Sequence, residues 1–167
     1  MLKSVAIVAI AVLSSLLAAH GMSQLGLRQG AVASAEATPA AAPASGGVAS
    51  LAKAADGHFW AEATVNGKRV RFLVDTGATT VALTAADARR LGLDLDSLEF
   101  DKPVATAAGE AKAALVELDY VSVAGARVEK VQALVLEKGL PSSLLGMSYL
   151  GRLSRIEATR TALILRP

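Results

Sequence analysis

The chain has 167 residues, of which 53% are hydrophobic, and its 17 basic and 15 acidic residues give a formal net charge of +2. This length suits one domain of modest size with additional segments, and no basic stripe interleaved with aromatic residues marks nucleic acid as a partner. The absence of cysteine excludes disulfides, thiolate catalysis and cysteine metal sites.

Near the N-terminus an apolar run, Val5 to Ala19, follows Lys3. The run is short for a spanning helix and typical of a signal peptide or a short signal anchor. Two possible A-x-A cleavage sites, Ala31-Val32-Ala33 and Ala33-Ser34-Ala35, lie far downstream beyond Arg28, which favours a retained anchor. With Lys3 on the cytoplasmic side, we expect a single-pass inner-membrane protein whose C-terminal domain is periplasmic, or an exported domain if the segment is cleaved.

The next segment, Ala31 to Ser50, consists of Ala, Pro, Ser, Gly, Val and Thr with Glu36 as its only charge. Such a composition cannot form a core and predicts a flexible linker. The chain is therefore expected to comprise an anchor or signal peptide over residues 1–30, a linker over 31–50 and one folded domain over 51–167.

The folded domain begins with a predicted β-hairpin. Asn66-Gly67 separates the β-prone segments His58–Val65 and Lys68–Phe72, and this dipeptide suits a type I′ turn because both central residues need positive φ. The alternation in the second strand places Val70 and Phe72 on one face of the sheet.

That strand leads directly into Asp75-Thr76-Gly77. A carboxyl group at the mouth of an apolar strand is costly unless it is hydrogen-bonded or protonated. Asp and Gly are also ordinary turn residues, so the three residues alone fit either a tight turn or a functional site.

A strand from Thr79 to Leu83 and a short helix are predicted next. Thr84-Ala85-Ala86-Asp87 has the spacing of a capping box, with Asp in place of the usual Glu or Gln. Gly92 suits the left-handed residue that ends a helix. Arg89 and Arg90 are expected on the solvated face.

Small side chains around one glycine characterise Pro103 to Ala113, which fits a mobile flap or an ordinary surface hairpin equally well. Strands are predicted over Leu115–Val123 and Val128–Leu136. The final apolar segment, Ile156–Leu165, indicates one or two strands, either central in a sheet or paired with another chain.

Three features together resemble a retropepsin-like aspartic protease of the bacterial membrane-anchored clan AA group. They are Asp75-Thr76-Gly77-Ala78-Thr79, the glycine-bearing hairpin about 30 residues later, and Leu144-Leu145-Gly146 about 70 residues later. The likeness covers roughly Gly57 to Pro167. It implies an all-β fold, a closed β-barrel with one short helix after the Asp-Thr-Gly turn and a helical turn near the C-terminus, and an active site formed between two copies.

The resemblance also implies a role for each site residue. Asp75 would be catalytic, Thr76 would lock the two catalytic turns together across a dimer, and Gly77 would let the backbone approach the carboxylates. Retroviral members carry acids where Thr79 and Thr80 stand here. The implied substrate-binding residues are Ala78, Thr79, Thr106, Ala107, Ala108, Gly109, Leu145 and Gly146, with 106–109 as the flap tip.

The chemistry of such a site follows from carboxylates themselves. Hydrolysis of a peptide needs one acid and one base, and the chain has a single Asp-Thr-Gly. Two copies of Asp75 in close contact cannot both ionise, so they share one proton and supply both groups at the same pH. The base then activates water, and the acid protonates the substrate.

The expected function is therefore a homodimeric aspartic endopeptidase that acts on peptide or protein substrates and is bound to the membrane through its N-terminal segment. No cofactor is expected, and no metal, because His58 and His20 are the only histidines. One alternative is a non-catalytic domain of the same fold that binds peptide in its groove or at a strand edge. Another is a domain that only spaces a membrane complex.

Overall fold

The structure, a computed structural model, describes residues 46–106 and 109–167. Its described elements are mostly strands, with two short α-helices and a 3-10 turn at Leu95–Ser97. In chain order they are β1 Ala49–Ala52, β2 Trp60–Val65, β3 Lys68–Val74, β4 Val81–Thr84, α1 Ala85–Leu91, β5 Lys102–Thr106, β6 Gly109–Val123, β7 Ala126–Leu136, β8 Ser143–Leu145, α2 Met147–Leu150, β9 Arg155–Ala158 and β10 Ala162–Arg166.

Six strands close into a barrel. Their neighbours run β2-β3-β8-β4-β7-β6, and pairing of β6 with β2 completes the ring. The β3–β8 and β4–β7 pairs are parallel, whereas the other pairs of the ring are antiparallel. The predicted all-β barrel with one short helix after the Asp-Thr-Gly turn and a helical turn near the C-terminus is confirmed.

The last apolar segment forms the centre of a second, three-stranded sheet. β10 pairs on one side with β1 and on the other with β9, both antiparallel. Of the two possibilities left open by the sequence, the central-strand position is the one observed. β1 begins at Ala49, two residues before the predicted domain boundary, and Ala49 is fully buried.

The predicted hairpin carries the chain into the site. Asn66 and Gly67 have φ values of 48° and 83°, as a type I′ turn requires. Val70 and Phe72 on β3 face the barrel core, where both are almost completely buried. The turn therefore sets the register of β3, whose last residue, Val74, is followed directly by Asp75.

The β6–β7 pair turns a corner of the barrel at Lys130. In β7 the buried side chains include Val128 before the corner and Val131 after it, so the inward face changes from even to odd positions. Lys130 itself has a φ of 48°. Arg152 donates hydrogen bonds to the carbonyls of Glu129 and Lys130, which stabilises the turned backbone.

Helix α1 begins and ends where the sequence predicts. Thr84 caps it, because its Oγ1 accepts a hydrogen bond from the Asp87 amide at 3.1 Å, and Gly92 has the left-handed φ of 92°. The return bond of a capping box is absent, since the Thr84 amide donates to the Ser143 hydroxyl at 3.1 Å. The shorter Asp87 carboxylate accepts from the Thr84 hydroxyl at 3.0 Å instead.

The predicted N-terminal anchor and the linker up to residue 45 lie outside the described residues. Neither helix in the described part of the chain has the length and hydropathy of a membrane-spanning segment.

Tyr149 of α2 provides a test of the core. Its ring is fully buried and its hydroxyl donates to the Ala126 carbonyl at 2.8 Å. We expect Tyr149→Phe to lower the free energy of unfolding by about 1–2 kcal/mol, because a buried carbonyl loses its partner. Urea unfolding of both proteins at pH 7 measures the difference. Equal midpoints would show that the hydroxyl contributes nothing.

The same pair of proteins gives a pH dependence. Burial raises the pKa of Tyr149 above its ordinary value of 10.0, so the unfolded chain ionises first as the pH increases. The stability that depends on the neutral phenol is thus complete below pH 10 and is lost above it. The wild-type advantage over Tyr149→Phe should shrink above that pH by up to about 1.4 kcal/mol per pH unit.

Candidate active site

The Asp75 turn lies directly after β3 and is held by backbone hydrogen bonds. The Asp75 amide donates to the Leu145 carbonyl at 3.1 Å, and the Ala78 amide donates to the Asp75 carbonyl at 3.3 Å. The Gly77 amide donates to Asp75 Oδ1 at 2.8 Å. These bonds orient Oδ1 of a half-buried carboxylate.

Strand β8 supports this turn from beside it. Val74 and Leu145 are paired in parallel register, so Gly146 follows β8 just as Asp75 follows β3. A Cβ on Gly146 would collide with the backbone carbonyls of Thr80 and Ala78, the latter at 2.7 Å. Glycine is needed there because the two chain segments pass this close to each other.

Helix α2 is tied to the same region. The Met147 amide donates to the Ala78 carbonyl at 2.8 Å. Ser148 Oγ accepts from the Val81 amide at 2.8 Å and donates to the Gln132 carbonyl at 2.7 Å. Ser148 at the start of α2 thus links β4 to β7. The sequence did not predict this role.

Asp75 lies in a cleft of about 550 Å³. Of the described residues that line it, Asp75 is the only one with an ionisable side chain, and three threonines supply most of the remaining polar groups. The larger apolar side chains of the wall are Leu73, Val104, Leu134, Leu136, Leu140 and Leu144. The cleft therefore offers an apolar channel with one carboxyl group in its lining.

The structure places the predicted site residues in different positions around the cleft. Asp75, Gly77, Ala78, Thr79 and Thr106 line the cleft, whereas Thr76 is exposed on the turn. Leu145 and Gly146 are buried beneath the turn and support it without lining the cleft. Ala107 and Ala108 lie outside the described residues.

Thr106 and Gly109, at the described ends of the predicted flap tip, are paired across the β5–β6 hairpin. Thr106 Oγ1 donates to the Gly109 carbonyl at 2.7 Å, and Gly109 has a φ of 109°. Because β6 runs on without interruption into the barrel wall, the β5–β6 hairpin is continuous with the barrel.

Several lining residues were missed in the sequence. They include Thr80, Ala82 and Leu144. Ala82 is buried like its neighbours Val81 and Leu83, so β4 shows no clear alternation of buried and exposed residues. Leu144 and Leu145 face opposite sides of a three-residue strand. The alternation of β-strands predicts that one leucine of the pair faces outward. The position of the cleft on that outer face depends on tertiary structure.

No group of three or more His, Asp or Glu side chains placed to hold a metal ion occurs within residues 46–106 and 109–167.

The closed barrel, together with an Asp-Thr-Gly turn braced by Leu-Leu-Gly in an apolar cleft, defines the retropepsin-like class of aspartic protease folds. The chain belongs to the family described as "gag-polyprotein putative aspartyl protease", whose pattern matches residues 61–152. The resemblance to retropepsin-like aspartic proteases inferred from the sequence is thus confirmed.

Individual proteins are also similar to this chain in sequence or structure. The crystal structure of a retropepsin-like aspartic protease from Rickettsia conorii superposes with a TM-score of 0.64 at 35% identity, over 73% of this chain and 92% of that one. An uncharacterized protein of Rickettsia prowazekii is 42% identical over 69% of this chain and 49% of its own length. An uncharacterized protein of Sinorhizobium is 44% identical over 70% and 50%. The chain thus spans about half the length of these two curated relatives.

Proposed function

We propose that this protein is an aspartic endopeptidase whose active site forms when two copies bring their Asp75 carboxyl groups together. The observation that carries the proposal is the single ionisable group among the described residues that line a largely apolar cleft. One carboxyl group cannot serve as acid and base at once, so the second group comes from a second copy. The family and the fold support this assignment.

In the proposed dimer the two carboxyl groups share one proton. The ionised group takes a proton from a water molecule, which attacks the scissile carbonyl carbon. The protonated group gives its proton to the carbonyl oxygen, which forms a tetrahedral diol. As the C–N bond breaks, the group that took the water proton gives it to the leaving amine, and the other carboxylate takes back a proton from one hydroxyl of the diol, so the pair again holds one proton. The Gly77 amide on Oδ1 keeps each carboxylate in a fixed orientation during these transfers.

The cleft suits an extended peptide. Its apolar wall accepts aliphatic or aromatic side chains, and Thr79 and Thr106 in its lining offer hydroxyl groups to a substrate main chain. The Ala78 carbonyl accepts from Met147 and retains a second lone pair for a substrate amide. The exposed Thr76 is available to bond the turn of the other copy.

We further propose that the domain is periplasmic and held at the inner membrane by residues 1–30, because an apolar run follows Lys3. Confinement to a membrane raises the effective concentration of one copy around another. Such tethering would favour a dimer that is weak in dilute solution.

Concentration dependence tests the dimer. Specific activity on unstructured peptides at mildly acidic pH should rise with protein concentration, in step with the dimer fraction seen by sedimentation. A statine-type transition-state mimic should bind the dimer and stabilise it. Full activity in a strictly monomeric sample would contradict the proposal, and peptide binding without turnover by an assembled dimer would support the non-catalytic alternative.

A further inference from the structure

Asp87 on helix α1 is a buried acid that the proposed reaction does not use. It is 9% exposed and is absent from the lining of the cleft. Its Oδ2 accepts hydrogen bonds from the Ser143 hydroxyl at 2.5 Å and from the Thr84 hydroxyl at 3.0 Å. Its Oδ1 lies 3.1 Å from Arg90 Nη1 on the exposed side of the helix.

Ser143 is the first residue of β8 and is fully buried. Besides donating to Asp87, its hydroxyl accepts from the Thr84 amide at the end of β4. One carboxylate therefore joins three elements: the first turn of α1, the last residue of β4 and the first residue of β8. Capping of α1 needs only the contacts with Thr84, so the hydrogen bond from Ser143 goes beyond that role.

Strand β8 is only three residues long, and it supports the Asp75 turn. Two residues after Ser143, the Leu145 carbonyl accepts the Asp75 amide. Gly146 then passes against the carbonyls of Ala78 and Thr80. A shift at the start of so short a strand is transmitted to its end, because only Leu144 separates Ser143 from the residue that bonds the Asp75 amide.

We propose that Asp87 is a positioning residue for peptide hydrolysis, which holds β8 through Ser143 and so fixes the Asp75 turn at the geometry the reaction needs. The inference rests on the proposed function. Reaction rates depend steeply on alignment, and a displacement of about 1 Å can lower a rate by about 10²-fold. A residue with only a capping role would change stability and leave the turn unaltered.

Asp87→Asn in the full chain tests the inference. The asparagine oxygen can still face both hydroxyls, but a neutral amide is a weaker hydrogen-bond acceptor than a carboxylate, so the contact with Ser143 is weakened. We expect kcat to fall by about 10- to 100-fold with KM within about twofold, and the NMR resonances of the Asp75 and Gly77 amides to move. Ser143→Ala should have the same effects, and the double variant should be no worse than the more severe single one.

Two matched controls separate position from stability. Val65→Ala removes buried volume at the opposite end of the β2–β3 hairpin, and it should lower stability while kcat and both amide resonances stay unchanged at a temperature where the protein is folded. Arg90→Gln removes only the exposed partner of Asp87 and should leave kcat within about twofold.

The outcomes are distinguishable. A kcat within about twofold of wild type in folded Ser143→Ala, or losses that Val65→Ala reproduces at equal stability, would overturn the inference. If Asp87→Asn does not fold, Ser143→Ala, which removes one hydroxyl, decides the question. If the wild-type protein hydrolyses no peptide, the proposed function fails, and the amide resonances still show whether the Asp87–Ser143 contact sets the geometry of the turn.

Discussion

Asp75→Asn is expected to lower kcat for peptide hydrolysis by at least about 10³-fold while the melting temperature stays within about 2 °C of wild type. Asparagine preserves the shape of the side chain and offers an oxygen to the Gly77 amide, which lies 2.8 Å from Oδ1 in the wild type. It can neither accept the proton of the attacking water nor share a proton with a second carboxyl group. Initial rates on a quenched fluorescent peptide, with circular dichroism on the same samples, measure both quantities.

Mixing the two proteins tests whether each active site needs two copies. In an equal mixture that has exchanged partners above the dissociation constant, about a quarter of the dimers carry two Asp75 residues, so activity should fall to about a quarter of that of wild type at the same total concentration. A fall to about one half would mean that each copy acts alone. Activity in the asparagine variant equal to wild type would reject catalysis by Asp75 altogether.

Gly146→Ala has the second largest expected effect. The added methyl group would enter the space of the Thr80 and Ala78 carbonyls, which are backbone atoms and cannot rotate away. We expect a loss of about 3 kcal/mol in the free energy of unfolding, together with loss of activity as the Asp75 turn moves away from β8. Urea unfolding and initial rates at a temperature where the variant is folded give the two numbers.

Gly47→Ala is a suitable control, because a Cβ there would lie 3.8 Å from the nearest backbone oxygen and make an ordinary contact. Its stability should remain within about 0.5 kcal/mol of wild type and its activity unchanged. Equal behaviour of the two alanine variants would show that close packing at Gly146 is not required.

The parts of the fold that follow from local chemistry could be predicted from the sequence. Asn66-Gly67 specifies its turn because both residues take positive φ, and Thr84 and Gly92 mark the ends of α1 through their capping groups. The Asp-Thr-Gly and Leu-Leu-Gly motifs predicted two segments that the barrel places side by side in β3 and β8. Each of these signals involves residues whose side chains or backbones act on near neighbours.

The parts that depend on distant partners could not be predicted. β1 is rich in alanine and small residues, and only its pairing with β10, more than 100 residues later, makes it a strand. The Asp87–Ser143 contact joins residues 56 positions apart, and the local capping pattern instead predicted a bond to the Thr84 amide. The left-handed Lys130 carries no sequence signal, because lysine rarely adopts positive φ.

The corner at Lys130 has a practical consequence for spectroscopy. Strand β6 passes Lys130 between Leu118 and Tyr120. On the N-terminal side of this point Leu115 is 51% exposed and is paired with cleft-lining Leu134 of β7, whereas on the C-terminal side the odd-numbered Val121 and Val123 are buried. The chain has no cysteine, so one thiol introduced at position 115 could be labelled with a single spin or fluorescence probe. Such a probe would report from the rim of the groove, and a thiol placed six residues further along would disrupt the interior.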